Sequence, residues 1–123
     1  MRNFINFLST YWLPVTVMLL VIISALSLTP LEKLPLTPGS DKLHHLIAYA
    51  ALSIPLGLKK PRYWLIVVSF FLVYSGLIEL IQPYVNRYGE WLDMAANSLG
   101  MFCGLLIAEL LNYFFPARLE QSD

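Results

Sequence analysis

Three apolar stretches of this chain carry acidic, imidazole and amide side chains at helical spacing. Asp41, His45 and Tyr49 recur every four residues in the first of these stretches, a spacing that puts them on one face of a helix. A histidine beside a carboxylate can act as a general base, bind a polar ligand or take part in a metal site. Lys42 adds a positive charge at the same end of the stretch.

The other two stretches repeat this pattern. The second holds Ser75, Glu79, Gln82 and Asn86 at helical spacing. The third begins with Asp93 and Asn97 and continues with Gly100, Gly104 and Ala108. A charged group in hydrocarbon costs about 3 kcal/mol or more unless it is paired. We therefore expect the carboxylates in these stretches to be paired or to have a function. The small residues predict a face for close helix packing.

The composition indicates that membrane helices carry these side chains. The 123 residues are 58% hydrophobic and 13% charged, whereas soluble domains are about 25% charged. A single domain of this length cannot bury so much apolar surface in water. The net charge of zero excludes a nucleic-acid-binding surface. The single cysteine, Cys103, lies in an apolar run and is predicted to be a core residue.

Hydropathy predicts an all-α membrane protein, a four-helix transmembrane bundle in one domain that covers residues 1–123. The predicted spans are residues 11–29, 42–58, 63–84 and 91–115. The second span is the shortest and begins with two histidines, so a re-entrant helix is its alternative. The first span contains Ala25-Leu26-Ser27, which resembles a signal-peptide cleavage site, but its length favours an uncleaved anchor.

Basic residues predict that the N-terminus and the C-terminus are both cytoplasmic. In that orientation more Lys and Arg residues are inside than outside, as the positive-inside rule requires. The inner set is Arg2, Lys59, Lys60, Arg62 and Arg118, and the outer set is Lys33, Lys42 and Arg87. The polar residues of the last three spans then share one depth, about 10 Å from the outer face. We therefore expect one polar site that opens to the outside.

Two interpretations of this site stay open. A structural network would join Glu79 to His45 or Arg87, and Asn97 to Gln82, and would hold the helices together. A binding or catalytic pocket is the other interpretation, because ionisable residues inside membranes are frequently functional. Arg87 could hold a phosphate or a carboxylate at its mouth. The predicted binding residues are Asp41, Lys42, His45, Tyr49, Glu79, Gln82, Arg87, Asp93 and Asn97.

The same residue types also occur in metal sites and in catalytic centres. His44, His45, Glu79 and Asp93 offer nitrogen and oxygen ligands, but the chain has no His-Glu-x-x-His or comparable spacing. We therefore predict neither a metal ion nor another cofactor. Were the site catalytic, His45 with Glu79 or Asp93 would act as a general base on water.

The same residues resemble the VanZ-like family of small bacterial membrane proteins. The resemblance rests on Asp41-Lys42-x-x-His45-x-x-x-Tyr49, Glu79-x-x-Gln82, Arg87 and Asp93-x-x-x-Asn97-x-x-Gly100, and it covers residues 41–104. It implies a multi-span protein of the bacterial cytoplasmic membrane, in a family whose namesake is linked to teicoplanin resistance. Asn86 stands where many members have glycine before the arginine.

The site residues fit three functional hypotheses. The first is an envelope protein that binds an anionic or lipid-linked cell-wall component and affects glycopeptide sensitivity. The second is a membrane hydrolase or transferase that acts on a lipid phosphate through His45 with Glu79 or Asp93. The third is a proton-coupled transporter that works as a homodimer and uses Glu79. The bilayer is the partner that all three share.

Overall fold

Five helices account for most of the residues that the computed structural model describes, which are 1–30, 40–85 and 89–116. They are α1 Arg2–Thr10, α2 Trp12–Ser27, α3 Asp41–Lys59, α4 Trp64–Ile81 and α5 Trp91–Phe114, and a 3₁₀ turn Gln82–Val85 follows α4. These ranges contain no strand. The all-α prediction is therefore confirmed for the described part of the chain. Each predicted span matches one of α2 to α5, with ends that differ by no more than three residues.

The first two helices meet at a sharp bend of 81°. Pro14 lies in the first turn of α2 and has no N–H to donate to the carbonyl of Thr10, so the helical hydrogen bonding is interrupted at this point. Ile5 of α1 packs with Leu58 and Ala108. The bend therefore lays α1 against the C-terminal parts of α3 and α5.

Clear capping signals set both ends of α3. The Ser40 side chain accepts a hydrogen bond from the backbone N–H of Leu43 at 3.2 Å, and Asp41 lies in the first turn. A carboxylate there is favourable because the helix N-terminus carries partial positive charge. Lys60 ends the helix in the left-handed conformation, with φ of 46°, and Pro61 follows it. The N-cap thus fixes where the polar face of α3 begins.

The closest helix contact in the structure joins α3 and α5, which run in the same direction. Gly100 lies against the backbone of Leu46, and Gly104 lies against the backbone of Ala50. A Cβ atom at either glycine would overlap the facing carbonyl oxygen. Further along, Gly57 faces Ala108. The small residues of α5 therefore form the packing face that the sequence predicts.

Side-chain contacts give the directions of α2 and α4. Tyr74 of α4 bonds to Ser24 and to the carbonyl of Leu20, and Gln82 donates to the carbonyl of Ser27 at 3.2 Å. At the opposite end, the rings of Trp12 and Tyr63 lie 6.3 Å apart. The C-termini of α2 and α4 therefore share an end of the molecule, and α3 and α5 begin at that end.

Two of the described helices are long and apolar enough to cross a membrane alone. They are Trp64–Val85, which is α4 with its 3₁₀ turn, and α5, and the bent pair of α1 and α2 makes a third if it is one span. α3 is not among them, because its first five residues include an aspartate, a lysine and two histidines. Two or three of the predicted spans are thus candidate membrane spans by their length and composition. The fourth span and the orientation stay predictions.

Candidate functional site

His45 is held between an amide on one side of its ring and two carboxylates on the other. Its Nδ1 lies 2.8 Å from Oδ1 of Asn97. The amide nitrogen of Asn97 donates to Oγ of Ser75, also at 2.8 Å, so the amide oxygen faces the ring and accepts the Nδ1 proton. In the neutral ring the lone pair then belongs to Nε2. Asn97 therefore selects the histidine tautomer and joins α3, α4 and α5 through their side chains.

The other ring nitrogen lies near two carboxylate groups. Nε2 of His45 lies 3.6 Å from Oδ2 of Asp41 and 3.9 Å from Oδ2 of Asp93. Both distances exceed that of a hydrogen bond. A lone pair that faces two carboxylates is repelled by them unless a proton or a cation lies between them. The arrangement is therefore suited to proton exchange or to binding a positive group.

Glu79 approaches the same ring from α4. Its Oε1 lies 4.0 Å from Nδ1 of His45, and its Oε2 accepts the backbone N–H of Glu90 at 3.2 Å. Within the described ranges Oε1 is buried and has no hydrogen-bond partner. A buried carboxylate oxygen without a partner is unfavourable, so this atom is suited to accept a donor from a ligand.

Lys42 supplies the positive charge at the rim. Its Nζ lies 2.9 Å from Oε2 of Glu90 and 3.3 Å from Oδ1 of Asp93. The Asp93 carboxylate thus divides its two oxygens, with Oδ1 toward the lysine and Oδ2 toward His45. Lys42 therefore ties the start of α3 to the start of α5.

The contacts described above define a group of residues that we call the His45 site: Asp41, Lys42, His45, Ser75, Glu79, Glu90, Asp93 and Asn97. The exposure of their side chains decreases from the helix ends inward. The side chains of Asp41, Glu90 and Lys42 are 55%, 51% and 42% exposed, whereas those of Glu79, His45 and Asp93 are 10%, 9% and 3% exposed. Asn97 and Ser75 are fully buried. The site thus has an exposed rim at the helix ends and a buried floor.

Of the three remaining predicted binding residues, one borders this arrangement, one lies apart from it and one is not described. Tyr49 is buried with Leu52 and Met101, and its hydroxyl group faces Ser75 of the His45 site. Gln82 donates to α2, so the expected pairing of Asn97 with Gln82 is wrong, because Gln82 follows the end of α4 and faces Ser27. Arg87 lies outside the described residues. The other six, which are Asp41, Lys42, His45, Glu79, Asp93 and Asn97, lie within the His45 site.

Two members of the site were not among the predicted binding residues. Ser75 precedes Glu79 by one helical turn and was predicted to lie on the same polar face. Glu90 comes just before α5, and from the sequence alone it is an ordinary acidic residue at the start of a helix. Its role depends on Lys42, which approaches from another helix. No local pattern in the sequence shows that contact.

The ligand atoms for a cation are also present. One atom each from Asp41, His45 and Asp93 lie within 4.8 Å of one another, and His45 and Asp93 are buried. Nitrogen and carboxylate oxygen atoms are ligands of Zn²⁺ and related divalent ions. The three residues come from two helices. A search for metal-binding spacings within one segment, such as His-Glu-x-x-His, therefore does not detect them.

A second polar feature lies at the opposite end of the molecule. Lys60 and Glu109 form an ion pair of 2.6 Å, and the Lys60 ammonium lies 5.4 Å from the centre of the Trp64 ring. They border an apolar groove of about 210 Å³ between α3, α4 and α5. Exposed pairs of this kind add little stability, so this end offers control positions for tests of the His45 site.

Comparison with known proteins identifies the family. A family model described as VanZ/LLP1 matches residues 3–112, which is nearly the whole chain. No curated protein and no solved structure matches the chain significantly. The match extends the resemblance of residues 41–104 over α1, α2 and most of α5. This chain belongs to the VanZ/LLP1 family.

Proposed function

We propose that the chain is a multi-pass protein of the bacterial cytoplasmic membrane that binds a lipid-linked cell-envelope component in the His45 site. The observation that carries this proposal is the polar path from exposed Lys42 and Glu90 to fully buried Asn97. A network that served only to join helices would not need a rim and an unpartnered carboxylate oxygen on its floor. Such a path is suited to receive a polar headgroup.

Helix directions support four spans and an outward-facing site. α3 runs parallel to α5 over its whole length, and its 19 residues reach about 28 Å at the rise of an α-helix. α5 meets the criteria for a membrane span. A helix that lies along it in the same direction crosses the same layer, which favours a span over a re-entrant segment. The basic turn between α3 and α4 then lies in the cytoplasm.

The charges of the site favour a headgroup of mixed chemistry. Asp41, Glu79, Glu90 and Asp93 supply four carboxylates, and Lys42 is the ammonium group that faces them among the described residues. A purely anionic ligand would be repelled by this excess of negative charge. Hydroxyl or amino groups of a lipid-linked headgroup would donate to the carboxylates. Its phosphate would lie near Lys42 and near Arg87, which the sequence analysis predicts at the mouth of the site.

A binding measurement with the full chain tests this proposal. Purified protein in lipid nanodiscs would be titrated with a polyprenyl pyrophosphate and with a polyprenyl-linked saccharide. We expect Glu79→Gln to weaken binding of the saccharide by about tenfold, since one hydrogen bond to a charged group is worth about 1.5 kcal/mol or more. Glu109→Gln, the same change at the other end of the molecule, should bind as wild type. Equal affinity of both folded variants would contradict the proposal.

Glycopeptide sensitivity offers a cellular version of the test. In a strain whose teicoplanin sensitivity changes on deletion of the gene, Glu79→Gln should behave as the deletion and Glu109→Gln as wild type. Variant levels in the membrane would be matched by immunoblot. A wild-type phenotype of Glu79→Gln at equal protein level would leave the His45 site with a structural role.

The geometry around His45 favours hydrolysis of a lipid phosphate as the second candidate. Asn97 fixes Nδ1 as the donor, so Nε2 is the atom that could take a proton from water. Phosphate release from a lipid-phosphate substrate, lost in His45→Gln and retained in His44→Gln, would support it. Binding without release in wild-type protein would instead support the binding role alone.

A further inference from the structure

A group of three possible metal ligands lies at the border between the rim and the floor of the His45 site. Asp41 and His45 are one turn apart on α3, and Asp93 reaches them from the first turn of α5. Their ligand atoms lie within 4.8 Å of one another. Nε2 of His45 is 3.6 Å and 3.9 Å from the two carboxylate oxygens. Ligand atoms around tetrahedral Zn²⁺ lie about 3.3 Å apart, given bonds of 2.0–2.1 Å.

The orientation of His45 is an independent indication of a cation. Its side chain is only 9% exposed, and its tautomer is set by the bond from Nδ1 to Asn97. Nε2 lies within 4 Å of a carboxylate oxygen of Asp41 and of one of Asp93. Metal-binding histidines commonly donate their other ring nitrogen to an oxygen, as His45 does to Asn97.

From these observations we infer that Asp41, His45 and Asp93 bind a divalent transition-metal cation, for which Zn²⁺ is the first probe. Nε2 and one oxygen from each aspartate are the three ligands, and a fourth position stays open toward the exposed rim. Three protein ligands with one open position are the usual set of a reactive zinc site. Lys42 does not compete for the ligand atom of Asp93, because it contacts Oδ1 whereas Oδ2 faces the histidine.

A cation at this position would change the charge of the site. It would offset the negative charge of the carboxylates and place a Lewis acid beside the buried Glu79. The open position could then take a phosphate oxygen of the headgroup, a consequence that rests on the proposed function. Metal binding itself needs no lipid ligand, so the two ideas can fail separately.

Equilibrium dialysis of the purified, untagged full chain against buffered free Zn²⁺ tests the inference. We expect one Zn²⁺ per chain in the wild type. Asp41→Asn and Asp93→Asn should each weaken binding by about tenfold or more, since loss of even an outer partner costs 10–100-fold. His44→Gln and Glu109→Gln are the matched controls and should keep the wild-type affinity. Asp41 is on the exposed rim, so its variant keeps the test valid even if the Asp93 variant does not fold.

Two results would overturn the inference. One is the absence of stoichiometric Zn²⁺ in folded wild-type protein. The other is equal binding in wild type, Asp41→Asn and His44→Gln, which would indicate adventitious metal only. Titration of the polyprenyl-linked saccharide with excess chelator separates this site from the proposed function, because lipid binding that persists in chelator leaves the headgroup proposal standing without the cation.

Discussion

Nδ1 of His45 and Oδ1 of Asn97 lie 2.8 Å apart at a point where both residues are buried between helices. The contact joins α3 to α5, and the bond from Asn97 to Ser75 extends it to α4. Asn97 therefore both orients the histidine and links three helices. A substitution of Asn97 can therefore affect both the stability of the helix packing and the orientation of His45.

Removal of the Asn97 side chain should destabilise the protein. Asn97→Ala leaves buried atoms of His45 and Ser75 without partners, at a cost of about 1–3 kcal/mol for each unsatisfied group. Ser98→Ala on the same helix removes only a bond to the carbonyl of Met94 and should cost less than about 0.5 kcal/mol. Reversible unfolding in mixed micelles measures both. Equal stability of the two variants would contradict the role of Asn97.

The contact between α3 and α5 should tolerate no added methyl group. In Gly104→Ala the new Cβ overlaps the carbonyl oxygen of Ala50, and backbone cannot move aside as a flexible side chain can, so we expect a loss of about 1–3 kcal/mol. Gly76→Ala is the matched control, because its Cβ would meet only the end of Met94 at 3.5 Å. That variant should be neutral or more stable, since alanine is the better helix former by about 1 kcal/mol. Similar stabilities for the two variants would argue against the close packing.

Lys42 should stabilise the start of α3 through Asp93. Lys42→Met leaves a buried carboxylate without its ammonium partner, so the unfolding midpoint should fall. Addition of Asp93→Asn should restore part of the loss, because the unpaired charge is then gone. Lys60→Met, which breaks an exposed pair with Glu109, should leave the midpoint nearly unchanged. A loss in the double variant equal to the sum of the two single losses would show that the pair is not coupled.

The predicted orientation puts the His45 site on the outer face. In a Cys103→Ser background, single cysteines at Trp91 and Arg62 would mark the two ends of the molecule, and both positions are exposed. In intact cells a membrane-impermeant thiol reagent should label Trp91→Cys and should not label Arg62→Cys until the cells are opened. The reverse pattern would place the site in the cytoplasm and would rule out a ligand from the outer leaflet.

The sequence predicted α2 to α5 well because their signals are local, but it did not predict α1 or its bend from α2. Apolar runs give the helices, while Ser40 and Pro61 mark the two ends of α3 from within a few residues of their own positions. Spacing by four also placed His45, Glu79 and Asn97 on inward faces. These predictions needed no knowledge of which helices are neighbours.

Pairings between helices were harder to predict, since they depend on rotation and on small axial shifts. In one of the two interpretations Asn97 was expected to meet Gln82, but it bonds to Ser75 instead, which lies about two turns closer to the start of α4. Glu90 became part of the site only through Lys42 on another helix. Depth along a span follows from residue number, whereas the partner at that depth depends on packing.

The tight contact of α3 with α5 has a consequence for how the site can open. Backbone atoms meet at Gly100 and Gly104, so these two helices cannot turn or slide against each other without a clash. α4 is joined to them by side chains, among them Ser75 and Glu79. The pair of α3 and α5 thus forms the rigid wall of the site. We therefore expect the floor to open through displacement of α4, which would move Ser75 and Glu79 away from His45.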